Sequence, residues 1–243
     1  MTVTIAFDPK NTFFILDFDR TLANTDKLHD TLERVITETT GISTDFLRAA
    51  RRKVEQGGES FDTIEYVRQY LAESGADDQW LAIQQAFIRE SEKEEMLEPH
   101  ARELLALLNE KRLPYGIITY GGEAWQLAKI EATNLLDIPH LVTHIKKKGE
   151  LLAGWQQEDG TFIVPPLLSK DFQQQNVKTL IFVDDKPISF VDMPDGVIGI
   201  HVWPTGSAPV DQTSVTLDSR VRSVRGLKEA IGLLFSDVSS NSQ

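Results

Sequence analysis

Two aspartates, Asp17 and Asp19, directly follow the apolar run FFIL, and Thr21 comes two residues later. The apolar run predicts a buried strand, and a carboxylate that is taken out of water destabilises the fold by several kcal/mol unless it is paired. Either a partner neutralises these carboxylates or the run is not buried. The pair is therefore the first candidate in the chain for metal binding or for acid–base chemistry.

Other polar groups that could do chemistry also stand just after apolar runs. They are Thr119, Tyr120, Gly121 and Gly122 after YGII, Lys146, Lys147 and Lys148 after HLVTHI, and Asp184 and Asp185 at the end of TLIFVDD. In open α/β sheets, ligands bind outside the carboxyl ends of the strands. We therefore expect these residues to meet Asp17 and Asp19 at one edge of a sheet.

The elements that must position these residues are five short runs that are apolar on consecutive rather than alternate residues, which favours parallel strands buried on both faces. They span 12–18, 115–119, 140–145, 179–184 and 197–202. Helical patterns lie between them, over 100–112 and 121–136, and Pro99 precedes the first. This alternation predicts an α/β fold with a doubly wound parallel sheet.

The interval between the first two predicted strands is far longer than one crossover helix requires. It contains four helical patterns, and the third, SFDTIEYVRQYLAESG, begins with Ser60 as its predicted N-cap. We therefore predict an all-helical insertion over residues 24–97, with residues 1–23 and 98–243 forming the core. A smaller insertion is predicted at 156–168, and the polar tail 237–243 is expected to be disordered.

Composition excludes several classes of function. The formal net charge of −12 disfavours a broad nucleic-acid-binding face, since such a face must attract phosphates. The absence of cysteine excludes disulfides, thiolate zinc sites and a cysteine nucleophile. The N-terminal residues do not resemble a signal peptide, and no apolar run approaches the roughly 18 residues of a membrane span. We expect a soluble, cytoplasmic protein.

The predicted cluster suits phosphoryl transfer. Carboxylates from two strands can hold one Mg²⁺, a cation that takes oxygen ligands. The Thr119 hydroxyl and the backbone N–H groups after it can donate to phosphate oxygens at a helix N-terminus. A lysine can stabilise the negative charge of the transferred group.

The motifs also resemble those of the haloacid dehalogenase (HAD) superfamily. DFDRT (17–21) matches the DxDxT signature, IIT (117–119) the second motif, a lysine before a helix the third and FVDDK (182–186) the acidic fourth. The position and helical character of 24–97 resemble a C1 cap. The resemblance thus implies a Rossmann-like core with a helical cap.

Individual roles follow from the resemblance. Asp17 would be the nucleophile and Asp19 the general acid and base. The phosphoryl group would be bound by Thr119, Tyr120, Gly121 and a lysine, and the metal by Asp17, the backbone carbonyl of Asp19, Asp184 and Asp185. Lys148 precedes the helix most directly, but Lys146, Lys147 and Lys170 remain alternatives for the lysine. The family's usual third carboxylate falls at Ser189, and Asp192 is the nearest acidic residue downstream.

These roles describe a Mg²⁺-dependent phosphatase that hydrolyses a small phosphorylated metabolite, a phosphoric monoester, through an aspartyl-phosphate. The alternatives are a phosphomutase, a nucleotide or protein phosphatase, and a non-catalytic binding protein with the same fold. The basic cluster at 51–53 in the insertion could reach an anionic substrate or could face water. The sequence leaves open the substrate, the oligomeric state and the purpose of 156–168.

Overall fold

A six-stranded parallel sheet forms the centre of the computed structural model, which describes residues 4–169, 176–203 and 217–235. Its strands are β1 (Thr12–Leu16), β2 (Tyr115–Tyr120), β3 (His140–Thr143), β6 (Thr179–Asp184), β7 (Val197–Trp203) and β8 (Val221–Arg225). They lie in the order β3-β2-β1-β6-β7-β8. The five predicted strands are confirmed, and β8 is an edge strand that the apolar pattern did not indicate.

The register of the sheet explains why the polar residues meet. All five residues of β1 are buried, as expected for a strand with helices on both faces. Leu16 of β1 lies opposite Ile117 of β2 and opposite Val183 of β6. The next residue, Asp17, therefore leaves the sheet beside Asp184, and its backbone N–H donates to the Val183 carbonyl at 2.8 Å.

Helices connect the strands of the core. They are α5 (Ala101–Glu110), α6 (Glu123–Ala132), α7 (Lys148–Ala153), α8 (Pro166–Ser169) and α9 (Gly226–Phe235). The first two confirm the helical patterns predicted over 100–112 and 121–136. None of the helices in the described ranges is both long and apolar enough to cross a membrane.

All the regular secondary structure of the insertion after β1 is helical. Its helices are α1 (Thr25–Thr40), α2 (Thr44–Gln56), α3 (Thr63–Glu73) and α4 (Gln79–Ser91). The predicted N-cap of α3 was wrong: Asp62, not Ser60, accepts the hydrogen bond from the Glu65 N–H, at 3.1 Å. An aspartate next to the first helical residue is as good a cap as serine, and its position decides which of the two is used.

The insertion and the core share one apolar cluster, and α6 is where they meet. Trp125 of α6 is 3% exposed. Its ring centroid lies 4.9 Å from that of His29 in α1 and 5.8 Å from that of Phe87 in α4. Trp125 therefore packs between the insertion and the core.

The smaller insertion at 156–168 packs against the core sheet. It contains β4 (Phe162–Ile163), which pairs antiparallel with β5 (Asn176–Val177). Phe162, Val164 and Leu168 are fully buried in a second apolar cluster that includes Phe13 and Ile118 of the sheet. Lys170 and the predicted disordered tail 237–243 lie outside the described residues.

Candidate active site

Asp17 and Lys148 form the centre of the site at the carboxyl edge of the sheet. Both residues are 2% exposed. The Lys148 ammonium donates to Oδ1 of Asp17, and it also donates to Oδ2 of Asp184 at 2.7 Å. The second oxygen of Asp17 accepts a hydrogen bond from the Thr21 hydroxyl at 3.0 Å. The carboxylate that the sequence left without a partner is therefore bound from two sides.

One lysine does not balance the carboxylates around it. Burial and the negative charge of Asp184 raise the pKa of Asp17 to about 6, although Lys148 opposes the change. Burial also raises the pKa of Asp185 well above its usual range, and the charges of Asp17 and Asp184 add to this effect. Burial disfavours the Lys148 ammonium, but the two carboxylates outweigh it and raise the pKa of Lys148. The cluster therefore has an excess of negative charge that favours a cation.

The geometry of the carboxylates fits a divalent metal ion. Asp17, Asp184 and Asp185 each offer one oxygen, and these oxygens all lie within 4.8 Å of one another. Oδ1 of Asp185 is buried and has no hydrogen-bond partner among the described residues. Oxygen ligands from converging carboxylates are the set that Mg²⁺ prefers. Asp192 lies outside this cluster and pairs with Lys147 at 3.6 Å.

The segment that presents Asp184 and Asp185, at the end of β6, is held by hydrogen bonds from its own backbone and from β7. The Lys186 N–H donates to Oδ1 of Asp184 at 2.7 Å. Nε2 of His201 in β7 lies 3.0 Å from the Asp185 carbonyl oxygen, so the ring donates there. These contacts fix the backbone that presents Asp184 and Asp185.

Among the candidate lysines that the structure describes, Lys148 is the one that reaches Asp17. Lys147 is half-exposed and pairs with Glu150 at 3.0 Å, and Lys146 donates to the Gly58 carbonyl of the insertion. Gly149 allows this placement because a Cβ there would overlap the carbonyl oxygen of Val191. Only glycine lets the start of α7 approach the loop after β6 so closely.

Asp19 lies in contact with α6. Its Oδ1 accepts from the Lys129 ammonium and from the Thr25 hydroxyl, the latter at 2.7 Å. Its Oδ2 accepts from the Gln126 amide at 2.9 Å. Burial favours the neutral acid, but Lys129 and the hydrogen bonds outweigh burial and lower the pKa of Asp19. The Asp19 carboxylate is therefore held in its ionised form and is not one of the three clustered carboxylates.

Gln126 also binds the residues predicted to hold a phosphoryl group. The Thr119 hydroxyl donates to its Oε1 at 2.9 Å, and its amide donates to the Tyr120 carbonyl at 2.9 Å. The Gly121 N–H donates to the Thr143 carbonyl at 3.2 Å. The predicted phosphate contacts of Thr119, Tyr120 and Gly121 remain predictions. In this arrangement the Thr119 hydroxyl and the Gly121 N–H have intramolecular partners.

An aspartate of the insertion lies at the N-terminus of α6. Oδ2 of Asp62 accepts from the Trp125 N–H at 3.3 Å. Gly122 permits the approach, because a Cβ at that position would overlap the Asp62 side chain. A carboxylate is stabilised here by the free N–H groups and the dipole of the helix. The anion-binding position predicted at this helix thus contains a carboxylate of the insertion.

Sequence reasoning missed Gln126, Lys129 and Lys186. Gln126 and Lys129 are three residues apart in α6 and thus lie on one helix face, but they resemble ordinary solvent-facing helix residues. Both are almost fully buried, at 3% and 1% exposed. Lys186 directly follows the acidic pair, which was the available signal. Its pKa is raised because Asp17, Asp185 and Asp19 outweigh burial.

A cavity of about 360 Å³ lies between the insertion and the core. Asp19, Lys129 and Lys186 contribute to its lining from the core, and His29 and Arg51 contribute from the insertion. The cavity therefore connects the carboxylate edge of the sheet with the helices placed above it. Its volume is at the lower end of the range for small-molecule sites.

Comparison with known proteins identifies the fold. No protein-family model matches the chain, and no curated protein matches its sequence. A haloacid dehalogenase-like hydrolase from Burkholderia xenovorans LB400 is similar in structure, with a TM-score of 0.63 and 16% identity over 92% of this chain and 96% of that chain. The HAD hydrolase YfnB from Bacillus subtilis, solved with bound magnesium, is also similar in structure. Its TM-score is 0.52, with 16% identity over 93% of this chain and 98% of that chain. The chain has the fold of haloacid dehalogenase-like hydrolases.

Proposed function

From the fold of the haloacid dehalogenase-like hydrolases, we propose that this protein is a Mg²⁺-dependent phosphatase that hydrolyses a small phosphorylated metabolite through an aspartyl-phosphate on Asp17. One observation carries the proposal. A buried Asp17 is in contact with Lys148 and is clustered with Asp184 and Asp185, at the same edge of the sheet where Asp19 lines the cavity between insertion and core.

Asp17, Asp184 and Asp185 would hold the metal, together with the predicted backbone carbonyl of Asp19. When bound, Mg²⁺ would neutralise charge on the phosphoryl oxygens and orient the group. The unpartnered Oδ1 of Asp185 and the excess of carboxylates over ammonium groups support this assignment. The structurally similar YfnB binds magnesium in its crystal structure, which adds support from a protein of the same fold.

Asp17 would act as the nucleophile. One of its oxygens attacks phosphorus, the bond from phosphorus to the ester oxygen breaks, and the alcohol leaves with a proton. Water then attacks the aspartyl-phosphate, releases inorganic phosphate and restores the carboxylate. The Lys148 contact would orient Asp17 and stabilise the negative charge that develops on the transferred group, and Lys186 would add a second positive charge.

Asp19 would exchange the protons of both steps. Its ionised form, favoured by Lys129, is the form that accepts a proton from the attacking water. In the first step Asp19 would take a proton from water, loosen its contact with Lys129 while it carries the proton, and give it to the leaving oxygen. The proton that Asp19 accepts in the second step would return to water. The helical insertion would serve as a cap that excludes water during these steps.

The test is phosphate release from para-nitrophenyl phosphate and from a panel of phosphorylated metabolites, in Mg²⁺ and in chelator. We expect Mg²⁺-dependent release by the wild type and none by Asp17→Asn. Asp137→Asn is the matched control, because Asp137 is exposed in the turn before β3. Isomerisation of a sugar phosphate without phosphate release would favour a phosphomutase. Release from no compound by a folded, Mg²⁺-binding protein would refute the phosphatase.

A further inference from the structure

We infer that Arg51 of the insertion recognises a second anionic group on the leaving group of the substrate, so that the enzyme selects small phosphoric monoesters carrying a carboxylate or a second phosphate. This inference rests on the proposed function and specifies its substrate class. It begins from the basic cluster at 51–53, for which the sequence left two roles open. The structure separates the members of that cluster, because Arg51 lines the cavity while Arg52 and Lys53 are exposed and do not.

Arg51 is held in place by a buried carboxylate. Glu33 of α1 is 2% exposed and pairs with two arginines of α2, Arg51 and Arg48, the latter at 2.8 Å. Glu33 thus shares one negative charge between the two arginines, and Arg48 also pairs with the exposed Asp30 at 3.2 Å. Because Glu33 takes only one Nη group of Arg51, the guanidinium is fixed in orientation without being saturated.

Glu33 does not use all the donor groups of Arg51. Its Nη2 is the nitrogen that contacts Glu33, and its Nε is buried without a hydrogen-bond partner among the described residues. The side chain is 21% exposed, at the wall of the cavity. An arginine in this state can donate to a carboxylate or phosphate oxygen, and such charge-assisted bonds are stronger than neutral ones.

Lys146 provides a second positive charge on the same cavity from the core side. Its ammonium donates to the Gly58 carbonyl and lies 5.7 Å from the ring centroid of Tyr120. It forms no ion pair with any carboxylate in the part of the chain that the structure describes. Glu55 and Glu59 also line the cavity, but both are exposed, so solvent weakens their competition for these cations.

The volume of the cavity favours a small substrate. A single space of about 360 Å³ contains both Asp19 of the reacting centre and Arg51 of the insertion in its lining. A leaving group that occupies this space beside Asp19 would therefore lie against Arg51. This favours a compact molecule with two anionic groups over a nucleotide or a phosphoprotein.

The experiment compares two probes with the same carbon skeleton, 3-phosphoglycerate and glycerol 3-phosphate, of which only the first carries a carboxylate. Binding is measured by calorimetry with Mg²⁺ in the Asp17→Asn background, so that turnover cannot consume the ligand. We expect 3-phosphoglycerate to bind at least about tenfold more tightly, the factor that one charge-assisted hydrogen bond supplies. Adding Arg51→Gln should abolish this preference, and Arg51→Lys should restore part of it.

Arg48→Gln is the matched control. It removes the other arginine of Glu33 without changing the lining of the cavity, since Arg48 lines a separate groove between α1 and α2. We expect Arg48→Gln to keep the preference for 3-phosphoglycerate. The inference would be overturned if the two probes bound equally or if neither bound. It would also be overturned if Arg48→Gln and Arg51→Gln had the same effect. Hydrolysis of para-nitrophenyl phosphate by the wild type is measured separately. This distinguishes failure of the proposed phosphatase activity from failure of the proposed role of Arg51.

Discussion

Replacing Asp17 with asparagine is expected to stabilise the metal-free protein at neutral pH. The pKa of Asp17 in the folded state is raised from 3.8 to about 6, chiefly by burial and by the charge of Asp184. A shift of this size corresponds to roughly 3 kcal/mol between the protonated and ionised forms. Asparagine has nearly the same shape, accepts from Lys148 through its carbonyl and does not ionise.

The pH dependence of this effect follows from the sign of the shift. Because the folded-state pKa lies above the unfolded value, the folded protein binds the proton more tightly. That contribution to stability is complete below pH 3.8 and is lost as the pH rises through about 6. The asparagine variant should therefore match the wild type near pH 4 and exceed it at pH 7.5, by up to about 3 kcal/mol in the free energy of unfolding.

Urea denaturation in chelator at both pH values measures the difference. Mg²⁺ should reverse the order at pH 7.5, because the metal stabilises the wild type and loses a ligand in the variant. The exposed control Asp137→Asn should change the free energy of unfolding by less than about 0.5 kcal/mol at either pH. Equal or lower stability of Asp17→Asn in chelator at pH 7.5 would refute the reasoning, because Lys148 and Thr21 would then compensate the buried charge of Asp17 in full.

Three further predictions concern the residues around this centre. Lys129→Met should lower the free energy of unfolding by about 3 kcal/mol, because it leaves the Asp19 carboxylate unpaired. Lys27→Met, at an exposed lysine, should have little effect. A loss below about 1 kcal/mol for Lys129→Met in urea denaturation would contradict the buried pair. Mg²⁺ affinity measured by calorimetry should weaken by about tenfold or more per pH unit below pH 6, because Asp17, and also Asp185 with its raised pKa, must lose a proton to bind metal. A flat profile between pH 5 and 7 would exclude Asp17 as a ligand. Gly149→Ala should reduce phosphatase activity by displacing Lys148 from Asp17, while Gly232→Ala in α9, which has open space around it, should leave activity intact.

The sequence was informative where burial and chemistry conflict. An apolar strand that is followed directly by Asp17 predicts both the sheet and the site, because such a carboxylate needs a cation. The same reasoning led to Asp184 and Asp185. The register of parallel strands then brings these residues together without further information from side chains.

The sequence was uninformative where a residue's role depends on its partner. Lys129 and Gln126 have types that are common on exposed helix faces, and only tertiary packing shows that they are buried against Asp19. The edge strand β8, VRSVR, carries Arg222 and Arg225 and lacks the continuous apolar pattern of a central strand. The identity of the α3 cap likewise depended on whether Ser60 or Asp62 reached the first turn.

The placement of α6 limits how this architecture can be recombined. Lys129 and Gln126 of this helix donate hydrogen bonds to Asp19 of the core. Trp125 of the same helix packs against the insertion, and its backbone N–H donates to Asp62 of the insertion. The helical insertion is therefore not an interchangeable module joined only through its two linkers. A graft of residues 24–97 onto another core of this fold would have to bring the matching face of α6 with it, so insertion and helix must diverge as a pair.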